Sequence, residues 1–184
     1  PMVVIVSAMG KMTNAFEEVV GHWSTNDLAL AREKIGTIRQ FHFAIIEELF
    51  DDPKDLLAEI QELIDQVQYG LEQTFLSYSE GYDYIVHHGE LIATKIIAAY
   101  IGKETPTVWQ DTRLLVHTDG QFRRATVRWE ETARAIKSRI DQSKVNVVQG
   151  FIGASSSGKP TTLGREGSDY TGAVFAYCLD ADSL

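Results

Sequence analysis

Met2-Val3-Val4-Ile5-Val6 is an unbroken apolar run, mostly β-branched, that leads into Ser7-Ala8-Met9-Gly10-Lys11-Met12-Thr13-Asn14 and then into the helical segment Ala15 to Val20. A strand without polar alternation is covered on both faces, as parallel strands between helical layers are. Strand, loop and helix in that order form a common ligand-holding unit, with the loop at the carboxyl end of the strand. The fold class that follows is α/β.

Further along, Leu28, Ala31, Ile35, Ile38, Ile45 and Leu49 fall at three- and four-residue spacing and predict an amphipathic helix. Asp52 and Pro53 offer a cap and a first-turn proline for a second helix carrying Leu56, Ile60, Leu63, Val67 and Leu71. Together they predict a helical hairpin at about 27–77. Another helix follows Gly89, with Leu91, Ile92, Ile96 and Ile97 as its apolar positions. Thr107-Val108-Trp109-Gln110 and Leu114-Leu115-Val116 are strand candidates, and Trp129, Ala133, Ile136 and Ile140 mark a further helix. Val145-Asn146-Val147-Val148 reads as a short buried strand and Ser168 to Leu179 as a closing helix, with Ser168 able to cap it. The alternation predicts a three-layer αβα domain without internal repeats.

The chain has 184 residues, 44% of them hydrophobic, enough for one domain with a real core. Its 17 basic residues against 26 acidic ones give a net charge of −9, and no Lys/Arg stripe interleaves with aromatics, so no nucleic-acid partner is expected. The longest apolar runs fall far short of the roughly 18 residues a membrane span needs, so no membrane partner is expected either. Cys178 is the single cysteine, which excludes an intrachain disulfide and a cysteine-based zinc cluster and suits a reducing, cytoplasmic setting. Opening on Pro1 and stopping shortly after a helix-like segment, both ends read as cut from something longer.

The chemistry concentrates in Thr161-Thr162-Leu163-Gly164-Arg165-Glu166-Gly167-Ser168-Asp169-Tyr170-Thr171, a strand-to-helix turn with glycines, a guanidinium, a hydroxyl and a carboxylate. A helix start aims backbone N–H groups and a positive dipole end at an anion, and Arg165 adds bidentate recognition of carboxylate or phosphate. Gly153-Ala154-Ser155-Ser156-Ser157-Gly158-Lys159-Pro160-Thr161 nearly spells a P-loop, but Pro160 stands where the Mg²⁺-binding hydroxyl belongs. Lys159 is therefore expected at a hairpin tip, with a P-loop NTPase as the remote alternative. In His87-His88-Gly89-Glu90, Glu90 is either an ordinary first-turn carboxylate or a buried ligand for an ammonium group. Adjacent histidines cannot both face one metal from a regular element, so no metal site is expected. His42 lies on an apolar stripe and is expected in the core, and Cys178 is expected to pack rather than react.

Taken in order, Val6 to Asn14, His88-Gly89-Glu90, Gln149-Gly150-Phe151-Ile152-Gly153 and Thr161 to Thr171 resemble successive motifs of the aspartate kinases. These belong to the amino acid kinase superfamily, so the resemblance implies a carbamate kinase-like αβα sandwich across residues 1–184, here a partial catalytic domain incomplete at both ends. It further implies MgATP-dependent phosphorylation of the side-chain carboxylate of L-aspartate, the entry to lysine, threonine and methionine synthesis. Carried over by position, Ser7, Thr13, Glu90, Arg165, Glu166, Gly167 and Ser168 bind aspartate. Glu90 is expected on the ammonium and Arg165 on the α-carboxylate. Ser7, Thr13 and Ser168 would then hold the side-chain carboxylate. Asp169 is the implied catalytic residue, ordering a metal or a lysine, with a plain first-turn helix carboxylate as its alternative.

The chain departs from that pattern in several places. Glu166 stands where the family has a glycine, and its side chain is expected to point away from the site. The family's opening Lys-Phe-Gly-Gly loop, its later Trp-x-Asp-Val segment and its ACT regulatory domains have no counterpart in these 184 residues. The ATP-binding residues are thus not assigned, and the fragment alone is expected to be inactive. A homo-oligomer is expected of the full-length protein. The alternative to an aspartate kinase is a non-catalytic amino-acid-binding or assembly module.

Overall fold

A computed structural model describes residues 2–164 and 166–184. Strands β1 (Met2–Val6) and β2 (Thr107–Gln110) flank β4 (Val145–Gln149), and all three run parallel, with Met2 and Thr107 both level with Val145. A second sheet holds β3 (His117–Thr118), β5 (Ile152–Ser155) and β6 (Pro160–Thr162), with β5 and β6 antiparallel. The two-residue period of the parallel strands sorts their side chains into two faces. Val4, Val6, Val145, Val147 and Trp109 pack with Ile97, Ala98 and Ile101 of α5 (His88–Ile101). On the other face Val3, Ile5 and Val148 pack with Ile136 of α6 (Trp129–Arg139) and with Val174 and Phe175 of α7 (Gly167–Leu179).

Helix α5 is apolar around most of its surface because it has neighbours on both sides. Its outer flank, with Leu91, Ile92 and Ile96, joins a helical cluster built from α1 (Met12–Ser24), α2 (Leu28–Leu49), α3 (Lys54–Gly70) and α4 (Tyr78–Val86). Phe16, Ile35, Ile38, Ile46, Ile60, Ile64 and Ile85 are fully buried there. Truncating one such side chain to alanine costs about 2–5 kcal/mol, so this cluster fixes where α5 begins. Helix α2 has the predicted bounds, and the Asp27 side chain accepts from Leu30 N at 3.2 Å to cap it. No described helix is long and apolar enough to cross a membrane.

Three local expectations are corrected, and one helix is added. Leu114-Leu115-Val116 is not a strand, since residues Thr112–Leu114 form a 3₁₀ turn. There Asp111 accepts from Arg113 N at 3.0 Å, and the Thr112 hydroxyl donates to Gln149 O at 2.9 Å, side-chain bonds that displace a ladder. At the start of α3 the cap position is Pro53, with no side-chain cap bond, so neither Asp52 nor a first-turn proline has the expected role. Helix α7 starts at Gly167 after a left-handed Glu166, so Ser168 lies inside the helix and is not its cap. Helix α4 was not anticipated; Ser77 caps it by accepting from Glu80 N at 3.2 Å.

The P-loop alternative is likewise overturned. Lys159 lies in the turn between β5 and β6, no helix follows it, and its Nζ donates to Glu80 Oε1 at 2.5 Å, tying the hairpin to α4.

Candidate active site

The carboxyl ends of β1 and β4 open onto a cavity of about 540 Å³ lined by Ser7, Thr13, Glu90, Glu166, Gly167, Ser168 and Asp169. That is the crevice position where open parallel sheets hold ligands, and the volume is of small-molecule size. Seven of the eight residues singled out from sequence thus line one space. The eighth, Arg165, lies outside the described residues.

Two glycines make the convergence possible. At the end of β4, a Cβ on Gly150 would stand 2.5 Å from Ser168 Oγ and 2.9 Å from Ser168 Cα, so only glycine admits the first turn of α7 so close. Ser7 Oγ consequently donates to Ser168 Oγ at 2.5 Å, joining the loop after β1 to α7. At the start of α5, a Cβ on Gly89 would meet both Ala8 Cβ and the Phe16 ring at 3.2 Å. This close packing sets the first turn of α5 under the Ser7-Ala8 loop.

Glu90 sits in that turn and is 2% exposed. Burial pushes its carboxyl up to about 8, only partly offset by the Ala8 backbone. Among the described residues its Oε2 has no hydrogen-bond partner. A buried acceptor left unpaired carries a desolvation cost, which a cationic ligand would remove. Glu90 is thus a first-turn carboxyl of α5, and a buried one. Gln149, by contrast, is fully bonded. Its Nε2 donates to Thr94 Oγ1 at 2.8 Å, its Oε1 accepts from Thr112 N at 2.7 Å, and its N donates to Thr112 Oγ1 at 2.9 Å. This fixes the end of β4 between α5 and the 3₁₀ turn.

Residues not singled out from sequence complete the wall: Glu17, Tyr82, Arg123, Phe151, Thr162 and Gly164. Tyr82 donates to Glu17 Oε1 at 2.6 Å, and burial with that carboxylate raises the phenol. Behind the wall the fully buried Asp83 accepts from Arg123 N and Thr162 N, both at 2.9 Å, and from Thr162 Oγ1 at 2.7 Å. Burial lifts its carboxyl to about 6 despite those three bonds. Phe151 and Thr162 belong to motifs already conspicuous in the sequence, whereas Glu17, Tyr82 and Arg123 carry no local signal. Arg123, Phe151 and Glu166 hold left-handed backbones at φ 69, 70 and 56. Such conformations cost of order 1–3 kcal/mol for non-glycine residues and concentrate at functional sites.

The remaining sequence candidates have structural roles. His87 Nδ1 bonds Asp83 O at 3.0 Å while its Nε2 faces the Arg113 guanidinium at 3.1 Å, so the ring is neutral with its proton on Nδ1. Burial lowers His87 well below its ordinary value and His88 to about 4. Among the described residues no three His, Cys, Asp or Glu side chains are placed to hold a metal ion. His42 is buried against Ile38 O at 2.8 Å and Cys178 is buried in the core under α7, and neither is among the residues that line the cavity.

Parallel sheet, helical layers and glycine-admitted crevice define the class: the chain belongs to the amino acid kinase family, whose model matches residues 1–184. It is 35% identical over 158 residues to the lysine-sensitive aspartokinase 3 of Escherichia coli, an alignment covering 83% of this chain and 35% of that protein. It is 31% identical over 189 residues to the chloroplastic aspartokinase 1 of Arabidopsis thaliana, covering 96% and 32%. Its fold superposes on the crystal structure of E. coli aspartokinase III in complex with aspartate and ADP with a TM-score of 0.86 at 29% identity, covering 98% of this chain and 40% of that one. The chain thus spans about a third of the length of these curated relatives.

Proposed function

We propose that this chain is the acceptor-binding part of an aspartate kinase that transfers the γ-phosphoryl group of ATP to the side-chain carboxylate of L-aspartate. The observation that carries the reading is Glu90, a buried carboxyl with one oxygen unpartnered among the described residues, facing a cavity ringed by hydroxyls and a helix start. Aspartate has one ammonium for Glu90 and two carboxylates for Ser7, Thr13, Ser168 and the amides of α7. Arg165 stays in the proposal, as the ligand of the α-carboxylate, on the sequence resemblance alone.

An acceptor carboxylate is already ionised at neutral pH, so no general base has to remove a proton from it. Its oxygen attacks the γ-phosphorus, the bond to the ADP oxygen breaks, and the charge moves onto ADP. What the chain must supply is position and charge compensation. The N-terminal dipole of α7 favours the anionic acceptor, and the Ser7 and Ser168 hydroxyls fix it in line. Mg²⁺ would enter with ATP. Asp169, exposed in the first turn of α7, is the proposed residue to orient it or a lysine.

The proposal extends, on the sequence resemblance and the single buried cysteine, to a cytoplasmic, homo-oligomeric enzyme of lysine, threonine and methionine synthesis. A turnover assay of the intact protein with MgATP and a panel of amino acids tests it. ADP release with L-aspartate but not L-alanine is expected. Aspartate binding without turnover would instead support the amino-acid-binding module.

A further inference from the structure

Arg123 lines the cavity together with Glu90 and Ser168, yet the reaction proposed above does not use it. Its guanidinium lies 4.3 Å from the centroid of the Tyr82 ring and 5.8 Å from that of Tyr78. The buried Asp83 carboxylate holds its backbone N–H at 2.9 Å. A Cβ on Gly164 would stand 3.4 Å from Arg123 O, so the loop abuts the turn that enters α7. Position and orientation of the side chain are therefore built by three separate elements.

The charge around it is one-sided. Among the described lining residues Glu17, Glu90, Glu166 and Asp169 are acidic, and Arg123 alone is basic. Asp83 is occupied by Thr162 and by the Arg123 backbone, and no ion pair among the described residues includes the Arg123 guanidinium. A guanidinium stacked on an aromatic plane keeps its in-plane donors available for a bidentate partner. A dicarboxylic acid entering beside the Glu17, Glu166 and Asp169 residues is favoured by such a counter-charge.

We propose that Arg123 binds the side-chain carboxylate of the acidic amino-acid substrate, beside the Ser7, Thr13 and Ser168 hydroxyls, and so sets the preference for a dicarboxylic over a neutral amino acid. The inference rests on the aspartate-kinase reading and adds a substrate-binding residue to it.

The test is calorimetric titration of the intact protein with L-aspartate and L-alanine, using wild type, Arg123→Gly and Arg123→Lys. Glycine suits φ 69, so the first variant keeps the fold, and an unchanged thermal midpoint verifies this. Arg123→Gly should weaken L-aspartate binding about tenfold or more, leave L-alanine unaffected and flatten the dependence on ionic strength. Arg123→Lys should fall between, because it keeps the charge and loses the planar fork. Unchanged aspartate affinity in Arg123→Gly overturns the assignment and leaves the aspartate reading standing. Failure of the wild type to bind L-aspartate overturns both.

Discussion

Binding of L-aspartate should expel a proton from Glu90. The carboxyl is pushed up to about 8 by burial, so at pH 7 about nine-tenths of the free protein carries it protonated. A substrate ammonium docked on its unpartnered oxygen requires the ionised form. Binding at pH 7 then releases about 0.9 proton, and affinity rises about 50-fold between pH 6 and pH 8. Titrations at pH 7 in two buffers of different ionisation enthalpy measure the release directly, and Glu90→Gln should abolish it while weakening binding. The same shift has a stability consequence of opposite direction. Because the folded value exceeds the unfolded one, stability is fully present below the unfolded value of 4.5 and is lost as pH rises toward 8, about 1 kcal/mol per unit. Glu90→Gln should accordingly raise the thermal midpoint at pH 8 and lose that advantage at pH 5. Proton release equal in wild type and Glu90→Gln would refute the reasoning.

Other perturbations separate the remaining parts of the account. Gly150→Ala places a Cβ against the Ser168 backbone, so α7 must retreat; stability should fall by about 1–3 kcal/mol and aspartate kcat/KM by more than tenfold, measured by denaturant melts and steady-state kinetics. Asp83→Ala strands two backbone N–H groups and the Thr162 hydroxyl, and chemical denaturation should show a loss of about 2–3 kcal/mol. Lys159→Ala breaks only the half-exposed ion pair with Glu80, so melting should register about 1 kcal/mol or less and ATP binding should not change; a loss of ATP binding would restore the P-loop.

Where chain pattern and burial coincide, the fold is readable from sequence. Leu28 to Leu49 repeats its apolar residues on one stripe, and the helix has those bounds. Val145–Gln149 is buried along its whole length and looks so, whereas the equally apolar Met2–Val6, at the edge of its sheet, is half-buried over Val3–Val6 and exposed at Met2. Helix α4 escapes because its buried positions include Glu80 and Asp83, whose partners lie on β6 and in the turns holding Lys159 and Arg123, far along the chain. Leu114-Leu115-Val116 is apolar enough for a strand, but Asp111 and Thr112 bind its backbone locally. The site divides in the same way. Ser7 directly follows a strand, and Glu90 and Ser168 each follow a glycine at a helix start, which are local signatures. Tyr82, Arg123 and Glu17 reach the cavity only through tertiary packing of α4, α1 and the loop after β3, and no short window of sequence contains that information. Glu166 is the instructive case: its left-handed backbone at φ 56 explains why a glycine suits the position, while the choice of an acidic residue there has no explanation in the structure.

The central claim is that this cavity presents the side-chain carboxylate of L-aspartate for phosphorylation. Incubating the intact protein with MgATP, L-aspartate and hydroxylamine, and identifying the trapped product by mass spectrometry, tests it most directly. The account predicts the 4-hydroxamate of aspartate, formed by wild type and strongly reduced in Glu90→Gln. Formation of the 1-hydroxamate, or no hydroxamate from a protein that binds both substrates, would contradict it.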